Sequence, residues 1–423
     1  MSRMLTTITI AGTALGLGGV AMGQSSLDLE RAYAAELSAD AESRTSLLAG
    51  PSQLGTFSLT SADGASSLNV GGLLQMRYVA NFRDEDAAGV GDNQDFTHGY
   101  ELTRTRLDLY GNLYSPQITF RFSFEAGDFA DGGGNAGDMN ATWVYGQYDF
   151  GGSWDGTFVR FGTFKLPLYG EELVEPEFGL AIERSVTNEF FNQDYSTGFM
   201  FGYEQDAFAV YAAVSDGIGT RGTSFNGNEA DVAITARGEY KVMGDWDQFD
   251  DLSSWQGSEQ ALRLGAAIHY ELLGETGGPV AAAGDGYRLD YTFDAQWEGN
   301  GFSLFGAFYG STREFNDNDR TDVGFLVQGG YFITEQWELF GRYDVVVADD
   351  ELGASGDDNY NFLTFGANYY FVPESHAAKA SVDVVFSLND TNGAFPGAAA
   401  PVGLLGQDDD FEAVLRGQLQ VLF

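Results

Sequence analysis

The chain has 423 residues with no Cys, 57 Gly and 8 Pro, and its 62 acidic residues against 21 basic ones give a formal net charge of −41. The lack of Cys excludes disulfides, thiolate metal sites, a Cys nucleophile and lipidation of an N-terminal Cys. The acidity argues against a nucleic-acid partner, because duplex binding needs clustered Lys and Arg. Aromatic residues make up 14% of the chain, which is too many for a disordered acidic protein.

The N-terminus predicts an export signal. A basic start at Arg3 precedes a long apolar stretch, which ends with the small residues Ala21 and Gly23 in positions suited to cleavage. We therefore predict a signal peptide over residues 1–23. An uncleaved membrane anchor is the alternative, although the stretch is short for a transmembrane span.

Residues 24–56 are predicted to form a periplasmic arm ahead of the main domain, with a short N-terminal helix over residues 27–48. Leu29, Tyr33 and Leu37 are spaced by four, and a Gly-Pro pair at 50–51 ends the pattern. The helix could act as a coiled coil or a cell-wall tether, or it could be a loose amphipathic arm.

From residue 68 onward, apolar and polar residues alternate with the period of a β-strand. Most of the resulting segments have 10–13 residues, whereas soluble strands usually have about five or six and tilted membrane strands about 9–11. The sequence therefore predicts an all-β fold, a transmembrane antiparallel β-barrel of 16 strands within residues 57–423. The predicted strands cover residues 68–82, 100–114, 118–129, 140–149, 157–166, 197–204, 207–216, 231–242, 260–271, 286–298, 302–312, 322–332, 337–349, 360–371, 379–389 and 412–423.

The faces of the strands and the lengths of their connections support a membrane barrel. Residues 118–125 place Phe120 and Phe122 on one face and Arg121 and Glu125 on the other, so the polar face is charged along the strand. Connections alternate between short turns and long loops, as in outer-membrane barrels. Residues 243–259 form one longer connection on the short-turn side. An even strand number lets the sheet close without exposed edges.

Aromatic residues of outward parity cluster near the short-turn rim, where a membrane-interface girdle is expected. They are Tyr203, Phe208, Tyr240, Trp297, Phe302, Tyr331, Trp337, Phe371 and Phe423. The last strand ends the chain on Phe423, which resembles the C-terminal signal read by the outer-membrane barrel-assembly machinery.

Several segments resemble the phosphate-selective porin O/P family over residues 68–423. They are residues 104–107 (RTRL), 159–167 (VRFGTFKLP), 183–189 (ERSVTNE), 330–343 and 368–373. The resemblance implies a sixteen-stranded homotrimeric porin of the bacterial outer membrane, embedded in lipid bilayer and lipopolysaccharide. It also implies passive diffusion of small hydrophilic solutes or anions, phosphate in the best-known members, and no catalysis.

Parity places a row of basic side chains on the predicted inner wall. They are Arg77, Arg104, Arg106, Arg121, Arg160, Arg237, Lys241, Arg263, Arg288, Arg342 and Arg416. Family members use an inward arginine ladder to lead anions through a constriction, and guanidinium groups suit phosphate oxygens. About as many acids share this face, so pairing that only stiffens the wall is the alternative. The loops lack the lysine cluster that gathers phosphate in selective members.

In the resembling family, the loop corresponding to residues 167–196 folds into the lumen and narrows it, although a loop lying on the rim is also compatible with the sequence. The predicted constriction residues are Glu171, Glu172, Glu175, Glu177, Glu183 and Arg184. The first four carboxylates would favour cations if they faced the lumen, whereas Glu183 and Arg184 are predicted to tie the loop to the wall.

We expect no metal, cofactor or enzymatic site. Residues 317–319 and 408–410 are acidic loop segments that could hold Ca²⁺ weakly, but neither matches an EF-hand loop. His98, His269 and His376 lie on separate segments without a Ser partner. Three functions remain open: a non-selective or cation-preferring porin, an anion- or phosphate-preferring porin, and a structural barrel that tethers the envelope.

Overall fold

A computed structural model describes residues 57–84, 95–126, 139–222, 230–273, 286–315, 318–349, 359–391, 400–406 and 411–423. The predicted signal peptide (1–23) and helical arm (24–56) lie outside the described residues. In the described part of the chain, no helix is long and apolar enough to cross a membrane.

The described residues form seventeen strands, and β2–β17 correspond to the sixteen predicted ones, with every end within four residues of its prediction. The strands are β1 (Phe57–Thr60), β2 (Ser67–Phe82), β3 (Phe96–Leu113), β4 (Ser115–Ala126), β5 (Asn140–Asp149), β6 (Thr157–Lys165), β7 (Tyr195–Glu204), β8 (Phe208–Ser215), β9 (Ala230–Met243), β10 (Ala261–Leu273), β11 (Gly286–Gly299), β12 (Phe302–Phe315), β13 (Asn318–Phe332), β14 (Trp337–Val347), β15 (Asn359–Tyr370), β16 (Ala378–Ser387) and β17 (Glu412–Leu422). Two short helices, α1 (Gly170–Leu173) and α2 (Val186–Phe191), lie in the 167–196 loop.

Strands β2–β17 close into an antiparallel barrel. Each pairs with the next along the chain, and β17 pairs with β2. At the seam, the backbones of Gly72 and Phe423 exchange two hydrogen bonds of 2.7 and 2.9 Å. β17 pairs with only part of β2, and β1 pairs with the rest of that same edge, with Phe57 opposite Val70. The prediction of a sixteen-stranded barrel is therefore confirmed, and the short β1 was not predicted.

The alternation of side chains places apolar residues outside and polar residues inside. Leu74 and Leu107 are exposed on the outer face, whereas Gln75 and Asp108 are buried inside. A bulge at Thr103 interrupts the parity of β3, because Met76 pairs with Leu102 and Gln75 pairs with Arg104. The predicted aromatic girdle faces outward: eight of its nine rings are exposed, and that of Phe302 is half-buried.

The 167–196 loop lies inside the barrel. Its apolar side chains Leu168, Tyr169 and Phe191 are almost completely buried. They belong to one cluster with wall residues such as Tyr309 and Leu326. The loop therefore packs against the inner face of the sheet through an apolar contact as well as through charges.

The 244–259 turn, on the rim of the short turns, also folds inward. Gln296 of the wall donates to the carbonyl oxygen of Asp251 at 2.6 Å, and the hydroxyls of Ser253 and Tyr370 lie 3.0 Å apart. Its length was noted in the sequence, but its inward course was not predicted.

Candidate functional site

Glu183 joins the loop to the barrel wall. Its carboxylate accepts from Arg77 of β2 at 2.8 Å and from Arg104 of β3 at 2.7 Å. Arg342 of β14 donates to the Glu183 carbonyl oxygen at 2.8 Å. Burial raises the pKa of Glu183, but Arg104 and Arg77 outweigh burial and hold that pKa well below its usual range. The residue is therefore a charged anchor for three strands.

A second anchor lies at Glu175 and Glu177. Arg106 contacts both carboxylates, and the Glu175 carboxylate also accepts from the indole of Trp143 at 2.8 Å. Arg121 lies 3.7 Å from Glu175. Burial raises the pKa of Glu175, but Lys165, Arg106 and Arg121 outweigh it and bring the pKa below its ordinary value. Both predicted constriction carboxylates are thus buried against the wall, where they expose little negative surface.

Glu171, Glu172 and Arg184 brace the loop internally. Glu171 accepts from the Ser185 hydroxyl at 2.6 Å, and that hydroxyl caps α2 by accepting from the backbone N–H of Asn188 at 2.9 Å. Arg184 pairs with Glu172 at 3.2 Å and donates to two loop carbonyls. Arg184 therefore holds the loop to itself, whereas the sequence predicted a tie to the wall.

Two glycines allow the loop to approach the wall closely. A Cβ at Gly324 of β13 would lie 2.6–2.7 Å from Thr187 and Phe191 of α2. A Cβ at Gly170, at the start of α1, would lie 2.7 Å from the Asp294 carboxyl carbon. Side chains at these positions would push the loop away from the sheet.

The remaining predicted basic residues also lie on the inner wall, and most of them are paired. The ion pairs are Arg237–Asp294 (2.8 Å), Arg263–Glu239 (3.5 Å), Arg288–Asp290 (2.6 Å), Arg416–Asp383 (2.7 Å) and Lys241–Asp206 (3.6 Å). Arg160 differs, because no carboxylate of a described residue lies within the 4.0 Å that defines an ion pair. Its Nε donates to Gln147 at 2.8 Å.

The two members of a pair are unequally exposed in several of these ion pairs. The side chain of Arg104 is 14% exposed and that of Glu183 is 1% exposed; the values are 13% and 0% for Arg121 and Asp108. Arg288–Asp290 shows the same difference. In these three pairs the carboxylate is more deeply buried than its guanidinium partner, so the part of each pair that remains accessible is cationic.

Not every wall residue follows this arrangement. Arg77, Arg106, Arg342 and Arg416 are almost fully buried, so they hold segments in place. Glu101 and Glu125 are more exposed than their arginine partners, and both add negative charge to the lumen.

Three further residues of this region were not predicted. Lys165 is the last residue of β6, where the chain turns inward, so strand parity does not apply to it; it pairs with Glu172 at 3.3 Å. Trp143 reaches Glu175 from β5. Burial, together with Glu172 and Glu183, raises the pKa of Glu189 to about 8. Glu189 is partly buried in α2.

The predicted weak calcium segments lie largely outside the described residues, which include Asp319 but neither Asp317 nor residues 408–410. Within the described ranges, no group of three or more His, Asp or Glu side chains is placed to hold a metal ion. The three histidines occupy separate places: His98 stacks on Phe96, His269 contacts Glu271, and His376 contacts Asp251.

A family model described as phosphate-selective porin O and P matches residues 73–392. The anion-selective porin from Comamonas acidovorans is similar in structure, with a TM-score of 0.56, 15% identity, and coverage of 85% of this chain and 100% of that one. Vibrio cholerae OmpT in its trimer form has a TM-score of 0.52, 13% identity, and coverage of 85% and 100%. Salmonella typhi OmpF in complex with daunomycin has a TM-score of 0.57, 12% identity, and coverage of 86% and 100%. No curated protein matches the sequence.

Proposed function

The chain belongs to the phosphate-selective porin O and P family, and we propose that its lumen favours small hydrophilic anions over cations. The protein is an outer-membrane channel and not an enzyme. What the proposal adds is the sign of the ion preference.

The unequal exposure within the wall ion pairs supports this sign. A neutral pair has no net charge, but an ion in the lumen meets the guanidinium edges of Arg104, Arg121 and Arg288 before the carboxylates beneath them. Rings of arginine form anion pores for this reason. Glu101 and Glu125, which are more exposed than their arginine partners, act in the opposite direction, so we expect a modest preference. The Comamonas porin, described as anion-selective, has the same fold.

The test is the reversal potential of single channels in a planar bilayer under a KCl gradient. For the natural protein we expect a reversal potential displaced from zero toward the Nernst potential of chloride, here called the chloride side; displacement toward that of potassium is called the potassium side. Arg104→Gln combined with Arg121→Gln removes two guanidinium edges and shifts the potential toward the potassium side. Arg221→Gln is the control for loss of a positive charge alone, because Arg221 lies in the segment after β8, and its contact with Asp194 of the loop is long, at 3.8 Å, with both side chains about one-third exposed. A potential on the potassium side for the natural protein would overturn the proposal.

Phosphate is a separate question, addressed by adding it at millimolar concentration to the same bilayers. Because the guanidinium edges are shared with structural carboxylates, we expect phosphate to pass without the strong block that a dedicated site would give. Block that disappears in the Arg104→Gln, Arg121→Gln variant would instead assign a phosphate site to this wall.

We further propose that the protein is a homotrimer that enters the membrane with the help of the barrel-assembly machinery. The trimer form of the Vibrio cholerae structure supports the first part. The exposed ring of Phe423 at the closing seam supports the second. Chemical cross-linking in intact outer membranes should give a trimer, and deletion of Phe423 should lower the amount of assembled barrel.

A further inference from the structure

A cavity of about 550 Å³ lies between the inner wall, the 167–196 loop and the 244–259 turn. This volume is typical of small-molecule sites. One side of the cavity is formed by strands β4–β9, which contribute Arg121, Trp143, Tyr145, Phe158, Arg160 and Tyr211. The cavity therefore combines basic and aromatic groups on a single wall.

Arg160 is the group in this wall with capacity to bind an anion. Its Nε is used by Gln147 at 2.8 Å. Its guanidinium carbon lies 4.3 Å from the ring centre of Tyr145 and 5.4 Å from that of Phe158. Among described residues, no hydrogen-bond acceptor takes its two terminal nitrogens. Stacking on the rings fixes the plane of the guanidinium, so these nitrogens are oriented before a ligand arrives.

The surrounding rings select for a particular kind of anion. Tyr145 and Phe158 lie against the Arg160 guanidinium, and Trp143 and Tyr211 add aromatic surface to the same cavity. A carboxylate matches the two terminal nitrogens of Arg160 with two parallel hydrogen bonds. A flat apolar ring attached to that carboxylate would pack against the side chains of the wall.

The opposite side of the cavity limits the charge of the ligand. Asp247 and Asp250 of the 244–259 turn line it, whereas the cavity carboxylates Glu204 and Glu239 lie on the β4–β9 wall itself. Glu239 is paired with Arg237 at 2.7 Å, and Glu204 accepts from the Tyr211 hydroxyl at 2.9 Å. The two aspartates leave negative charge there, which opposes phosphate and dicarboxylates more than an anion with a single charge.

We propose that this cavity is a binding subsite for small monocarboxylates that carry a flat apolar ring, with Arg160 as the carboxylate ligand and Tyr145 as a stacking surface. The proposal deepens the anion-channel function by naming a solute class. It rests on the channel being open to such solutes from at least one side.

Benzoate is the probe, and its block of KCl current through single channels in planar bilayers is the measurement. We expect benzoate to block at a concentration at least about tenfold lower than acetate or inorganic phosphate, which corresponds to about 1.4 kcal/mol. Arg160→Gln should raise the half-blocking concentration of benzoate by about tenfold or more, the size expected for a charge-assisted hydrogen bond. Tyr145→Leu should raise it by less and leave block by acetate unchanged.

Arg313→Gln is the matched control. Arg313 is a lumenal arginine of β12 that contacts Ser311 at 3.2 Å and, within the described chain, has no carboxylate at ion-pair distance; it does not line the cavity. Equal effects of Arg160→Gln and Arg313→Gln, or equal block by benzoate and acetate, would overturn the proposal. Conductance in KCl alone shows that each variant is folded and inserted.

The same recordings separate this proposal from the proposed ion preference. A reversal potential on the potassium side together with benzoate block that depends on Arg160 would refute the anion preference and keep the subsite. A chloride-side potential without such block would do the reverse.

Discussion

The backbone N–H of Leu252 donates to the carbonyl oxygen of Phe178 at 3.2 Å. This bond joins the 244–259 turn, which enters from the short-turn rim, to the 167–196 loop, which enters from the opposite rim. The side chains of both residues are buried in one apolar cluster. The lumen is therefore narrowed by two segments in contact, and the turn supports the loop on the side that faces the short-turn rim.

Replacing residues 244–260 with an Asn-Gly hairpin turn should widen the channel. The turn occupies part of the lumen and forms one side of the 550 Å³ cavity, and an Asn-Gly turn is short and suits a β-hairpin. We expect a larger single-channel conductance, measured in a planar bilayer. Trp154→Ala is the control, because Trp154 is exposed in the β5–β6 turn of the same rim, away from the 244–259 turn. Unchanged conductance would show that ions do not pass by the turn.

Glu183→Gln should destabilise the barrel strongly. Arg77 is buried with its charge facing Glu183, and removing one partner of a buried pair costs roughly 3–5 kcal/mol. The free energy of unfolding, measured by urea titration in lipid vesicles, should fall by about 3 kcal/mol. Glu101→Gln is the control, because it removes the more accessible carboxylate partner of the same Arg77. It should lower the free energy of unfolding by less than about 1 kcal/mol. Equal losses would mean that Glu183 is not the anchor.

Raising the pH should weaken the anion preference through Glu189. Its pKa of about 8 keeps the carboxyl protonated and neutral at pH 6, and it becomes a charged carboxylate by pH 9. The added negative charge lies near Arg104 and Arg184, so the reversal potential should move toward the potassium side between these pH values. Glu189→Gln should reduce this dependence, whereas Glu335→Gln, at an exposed turn residue, should leave it unchanged.

The sequence predicted the barrel because lipid and water impose a period-2 pattern that can be read one strand at a time. Strand ends, wall parity and the aromatic girdle all follow from that pattern. The bulge at Thr103 could not be predicted this way, since neighbouring residues give no sign of the extra residue in the ladder.

The ion pairs inside the lumen could not be predicted from the strand pattern. Parity placed Arg77 and Arg104 on the inner wall, but their shared contact with Glu183 depends on how a loop 79 positions beyond Arg104 folds back. The same holds for the inward turn, whose contact with Phe178 is a tertiary one. The number of inward acids was visible in the sequence, whereas the burial of particular carboxylates beneath particular guanidinium groups was not.

Gly324→Ala should displace the loop from the wall. The added Cβ would lie 2.6 Å from the Thr187 methyl group and 2.7 Å from the Phe191 ring, and because both side chains are buried we expect α2 to shift away from β13. Overpacking of this kind costs about 1–3 kcal/mol, and we expect that loss of unfolding free energy together with a changed conductance. Gly341→Ala is the matched control on the next strand, because its Cβ would meet Phe365 at an ordinary 3.5 Å. If both variants behave alike in urea titration and in bilayers, close approach of the loop at Gly324 does not set the width of the channel.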